Sequence, residues 1–177
     1  MTSHRFRIAA PGLLFALFCH AQNVPIEAPT QLLNHLAGRW VMNGTIAGKG
    51  TTHDVDAEWV LKREYLRLHE VSREKSAGDA PAYEAIVFLS WEANQGEYSC
   101  LWMDNTGGGA LSSDVIARAR PAASAIPLVF TKAGKELLHT TFRYDARTDS
   151  WQLTIDDVTN GKNERFADVR LTRSKVP

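Results

Sequence analysis

From Tyr83 to Gly109 the chain reads YEAIVFLSWEANQGEYSCLWMDNTGGG, and this stretch limits the fold more than any other. Two apolar, aromatic-rich runs flank the turn Ala93-Asn94-Gln95-Gly96, which is the pattern of an antiparallel hairpin. Both runs hold more large apolar side chains than a sheet wetted on one face requires. Such density belongs to a sheet covered on both faces or wrapped around a cavity.

The same rhythm continues along the chain. Strands are predicted at 40–46, 52–61, 65–72, 83–91, 97–104 and 111–117, then at 126–131, 137–144, 151–158 and 165–172. Gly, Asn, Asp and Pro punctuate nearly every joint. A short helix is predicted over Thr30–Gly38, with Thr30 capping its start, Leu32, Leu33 and Leu36 as its apolar stripe, and Gly38 in the left-handed C-terminal position. Strands in simple succession with short connections predict an all-β fold. The expected architecture is an antiparallel up-and-down β-barrel of about eight to ten strands with a short N-terminal helix. The barrel domain is expected over 30–177, after an extended lead-in at 22–29.

Residues 1–21 read as a secretory signal. Arg5 and Arg7 stand near the start without an acid, Ile8–Cys19 is a short apolar run, and Cys19-His20-Ala21 offers small residues for cleavage after Ala21. The run is too short to span a bilayer, and Pro11-Gly12 interrupts it. Lipidation at Cys19 is the alternative, against which the bulky Phe18 argues. The expected location is periplasmic or secreted, with no stable membrane insertion once the signal is removed. The segment holds two of the 20 basic residues and none of the 20 acidic ones, which puts the rest of the chain at about −2. Near-neutrality leaves no electrostatic footprint for nucleic acid. Past Ala21 the only cysteine is Cys100, so no internal disulfide is expected.

Three stretches carry a resemblance: LAGRW at 36–40, EYLRLHE at 64–70, and YEAIVFLSW with LWMDNTGGG across 83–109. With them the chain resembles the lipocalin-like (calycin-type) family of small exported bacterial proteins classed as a domain of unknown function. In lipocalins a G-x-W sequence leads into the first strand and its Trp packs across the closed end of the barrel. Gly38-Arg39-Trp40 stands at the matching place. Lys62-Arg63-Glu64-Tyr65 replaces the family's Gly-Gly-Arg-Phe, which puts the preceding turn in doubt. The resemblance implies a fold and a generic ligand-binding role.

No catalytic motif competes with that reading. Ser112 and Ser113 lack a nucleophile elbow, and Gly107-Gly108-Gly109 lacks the Lys-Ser/Thr of a phosphate loop. No metal site is expected, because His53, His69 and His139 fall in three different strands. If Leu66 and Leu68 face the core, His69 faces solvent; His139 could look inward. Haem held by His139 or His69 is therefore the minor cofactor alternative to none. The best candidate site is one face of the second hairpin strand, with Tyr98, Cys100, Trp102 and Asp104 on it and Met103 and Asn105 on the other. Trp59, Tyr83 and Trp91 are candidates for the same wall, and Asp104 and Asn105 serve equally as turn builders. The leading function is a non-catalytic protein holding a small, largely apolar ligand. The alternatives are a barrel whose surface docks a periplasmic partner and a haem or cofactor enzyme.

Overall fold

A computed structural model describes residues 28–175 apart from 108 and 110; the signal and most of the lead-in expected from the sequence lie outside these residues. Ten antiparallel strands close into one barrel: β1 (Gly38–Ile46), β2 (Lys49–Val60), β3 (Tyr65–Ser72), β4 (Glu84–Glu92), β5 (Glu97–Asp104), β6 (Ile116–Ala119), β7 (Ala125–Lys132), β8 (Lys135–Asp145), β9 (Ser150–Thr159) and β10 (Lys162–Arg173). Each strand pairs with its neighbours in sequence, and β1 closes the ring on β10. This is the expected up-and-down barrel.

Alternation sets the interior. Along β5 the side chains of Tyr98 and Cys100 are buried. Along β3 Leu66, Leu68, Glu70 and Ser72 all turn inward by the period of two. The core fills the half of the barrel nearest α1 (Pro29–Leu36), where Trp40, Tyr98, Phe142 and Trp151 are completely enclosed together with Leu32, Leu33 and Leu36 of the helix.

The helix is pinned by the groups it covers. Trp40 Nε1 donates to Leu36 O at 2.7 Å, Trp59 Nε1 to Asn34 Oδ1 at 3.0 Å, and Tyr98 Oη to Pro29 O at 3.1 Å. Arg173 Nη1 donates to Ala37 O at 2.7 Å and its Nη2 to His35 O at 3.0 Å. The Trp40 and Arg173 donors satisfy carbonyls that a helix C-terminus leaves without partners. Trp40 therefore lies beneath the helix at the closed end of the barrel.

Several expectations at the edges are corrected. The helix starts one residue earlier, with Ala28 at the N-cap and Pro29 in the first turn, where a missing N–H costs nothing; Thr30 is not the cap. Gly38 is not a left-handed helix terminus, because Ala37 is already extended and Gly38 opens β1 at φ +126°. A Cβ there would stand 2.3 Å from Arg173 Nη1, so the glycine makes room for the guanidinium. The strand expected at 111–117 begins only at Ile116. A one-turn 3-10 helix, Ser113–Val115, precedes it, and the Ser112 hydroxyl bonds to Asp114. Short polar side chains that bond locally compete with strand pairing.

Candidate functional site

The half of the barrel away from the helix is open inside. A cavity of about 620 Å³ lies between β1, β2, β3, β5 and β7–β10. Met42, Trp102, Phe130, Leu153 and Val169 supply apolar wall, and polar groups gather where β2 and β3 end against Tyr83. A pocket of this size with apolar walls and a few convergent polar groups suits a small organic molecule.

The polar group centres on His53. By register Val55 faces Glu70 and His53 faces Ser72, so His53 and Glu70 are diagonal neighbours on the inner face. His53 Nδ1 lies 2.5 Å from Glu70 Oε1, and the two residues are only 2% and 6% exposed. His53 Nε2 lies 2.7 Å from Thr51 Oγ1, which is itself 2.9 Å from Glu74 Oε2. Thr51 thereby ties the His53–Glu70 pair to a second carboxylate. The order hydroxyl, imidazole, carboxylate is that of a nucleophile triad. Here, however, the Thr51 hydroxyl also bonds to the Glu74 carboxylate, so it is tied down by an acid and not only by the imidazole.

Tyr83 completes the cluster. Its ring stacks on His53 with centroids 5.6 Å apart, and its hydroxyl accepts from Trp102 Nε1 at 3.1 Å. Burial, with the negative charge of Glu70 and Asp104 nearby, holds the Tyr83 phenol well above its ordinary range, so it stays neutral. Asp104 Oδ1 accepts from the backbone N–H and hydroxyl of Thr106. Asp104 is thereby both a turn builder and a cavity wall.

The residues expected at the site divide into three groups. Trp102, Asp104 and Tyr83 line the cavity together. Tyr98, Cys100, Trp59 and Trp91 belong to the packed half: Trp91 lies edge-on to Tyr98, and Arg63 covers Trp59 at 5.0 Å. Burial also pushes the Cys100 thiol up, so it is an inert apolar filler. Asn105 lies outside, its side chain accepting from the Glu84 backbone N–H.

The histidines named for haem both stand on the outer face. His69 pairs with Glu84 at 2.7 Å, as the solvent-side reading of β3 requires. His139 does not look inward; Leu138 and Thr140 take that side of β8, and His139 meets Glu136 and Asn163. Among the described residues no group of His, Cys, Asp and Glu is arranged to hold a metal ion, and no helix is long and apolar enough to cross a membrane.

Sequence reasoning missed His53, Glu70 and Thr51. The signal existed: the face of β3 that buries Leu66 and Leu68 continues to Glu70, and a buried acid calls for a partner. No protein-family model and no curated protein matches the chain.

Proposed function

We propose that this is an exported, non-catalytic binding protein that holds a small, largely apolar molecule inside the barrel. The observation that carries the reading is the cavity of about 620 Å³ in an otherwise close-packed barrel. Protein interiors normally leave few voids larger than a water molecule, so a space of this size is a built feature. Helix and tryptophans seal one end, so the ligand enters away from the helix. Export is supported by the tripartite segment at 1–21, and the lipocalin-like resemblance points to the same role.

Native mass spectrometry of the protein purified from its own cells tests this reading, together with titration by an apolar dye that brightens in dry surroundings. The expected result is an organic adduct, or saturable dye binding competed by apolar molecules. A clean apo mass with no saturable dye binding overturns it.

A second reading has its own observation. Tyr65, Phe88, Leu101 and Ile116 form an apolar groove on the outer face of β3–β6, with Leu61 exposed at its edge. Patches of this kind mark surfaces that dock another protein. A partner that co-purifies with the apo protein, and is lost in Phe88→Lys, would favour this reading over the first.

A further inference from the structure

We propose that the molecule held in the cavity is an amphiphilic amine, with its apolar body against Trp102, Phe130 and Leu153 and its ammonium group held by Glu70 and Asp104 beside Tyr83. The proposal rests on the binding reading above and adds the chemistry of the ligand's polar end.

It follows from counting which hydrogen-bonding positions the protein itself has used. The donors grouped around Glu70 are engaged by protein acceptors, while Lys49 stands at the exposed rim of the cavity. Thr51 donates to Glu74, His53 to Glu70, Trp102 to Tyr83, and the Tyr83 and Thr106 hydroxyls to Asp104. The unused positions around Glu70 are acceptors. Glu70 is more than nine-tenths buried, yet only its Oε1 takes a hydrogen bond among the described residues, which leaves Oε2 on the cavity wall without a partner. This oxygen opens on the cavity, so a donor that enters there meets a carboxylate position that no protein group uses.

Charge selects the donor. The wall carries the carboxylates of Glu70, Glu74, Asp104, Asp114 and Asp157, against Lys49 and His53. Of these acids Asp114 is neutralised by Lys132 at 3.0 Å. Even with His53 charged, the cavity remains negative, which opposes a carboxylate or phosphate head and favours a cation. The rings of Tyr83 and Trp102 border the same place, and an aromatic lining tolerates a cation better than an anion. A neutral alcohol could meet Glu70 but gains nothing from the field.

The test is titration of the intact protein at neutral pH with decylamine, decanol and decanoate, read by calorimetry or by tryptophan emission. Decylamine is expected to bind at least about tenfold tighter than decanol, with decanoate weakest, the scale of one charge-assisted hydrogen bond. Glu70→Gln should remove most of the amine's advantage and leave decanol within about twofold, since the amide keeps the shape and loses the charge. Raising salt to about 1 M should weaken decylamine and spare decanol in the unaltered protein, which gives the same answer should Glu70→Gln not fold. Decanol or decanoate binding as tightly as decylamine overturns the amine proposal while leaving the cavity a binding site. Failure of all three to bind overturns the binding reading itself.

Discussion

Arg173 lies over the indole of Trp40, its guanidinium carbon 3.8 Å from the ring centroid, and so joins the end of β10 to the start of β1. The same guanidinium bonds to Ala37 O, His35 O and Asp149. One side chain thereby locks ring closure, helix and the β8–β9 turn. Trp40→Ala is expected to cost roughly 3–5 kcal/mol in urea unfolding, as for other large core aromatics. Arg173→Lys should recover little of the loss seen in Arg173→Ala, because a point charge cannot reproduce the planar fork. Full recovery by lysine would show that charge alone suffices.

Asp149 gives this clamp a pH dependence. The hydrogen bond from Arg173 holds its carboxyl below the ordinary value of 3.8. A depressed folded value means that the contribution is complete above the unfolded value and is lost as pH falls through the lower folded one. Acid unfolding of Asp149→Asn should therefore run parallel to that of the unaltered protein at neutral pH and lose less stability below about pH 4. Both side chains are well exposed, so solvent screening keeps the amplitude small. A steeper acid limb in the variant would contradict the sign.

His53 and Glu70 should be worth more together than apart. Removing one partner of a buried hydrogen-bonded pair leaves the other unsatisfied, at a cost of roughly 1–3 kcal/mol. Glu70→Ala is expected in that range by chemical denaturation. The double change His53→Phe, Glu70→Leu should be less destabilising than either single change to alanine, since two apolar side chains need no partner. A double His53→Ala, Glu70→Ala variant whose loss equals the sum of the two alanine singles would mean that the pair is not coupled.

Trp102 is a wall and not a plug. It lies edge-on to Phe130 at 6.5 Å, and part of its ring borders the cavity. Trp102→Ala should then cost about 1–3 kcal/mol, less than the 3–5 typical of a tryptophan packed on every side. Apolar dye binding should change in the same variant. A loss as large as that at Trp40 with unaltered dye binding would make Trp102 ordinary core.

Much of this was legible from local pattern. β3 and β5 begin and end where alternation and turn residues predict, and the shared face of Tyr98, Cys100, Trp102 and Asp104 follows from period two alone. What the pattern could not convey is how far along the barrel each side chain sits. Tyr98 and Asp104 share a face, yet one is sealed beneath the helix and the other borders the cavity, a difference made by the helix at one end only. The relay from Glu70 to Thr51 depends on the register of β2 against β3, a non-local fact. His139 illustrates the reverse limit. Its strand is long and ambiguous in sequence, and a bulge between Phe130 and Thr131 shifts the neighbouring register just where its orientation is decided.

The barrel's circumference is uneven. β9 and β10 are joined along most of their length, whereas β6 meets β7 at Ala117 and Arg118 alone. A closed ring strained from within parts where the fewest rungs must break. The β6–β7 seam is therefore the natural gate: amide hydrogens of 116–119 should exchange first, and a cross-link between β6 and β7 should slow ligand uptake without changing the final affinity. Uptake rate and binding strength would then be set by different parts of one molecule, the first by a short strand and the second by the wall it helps enclose.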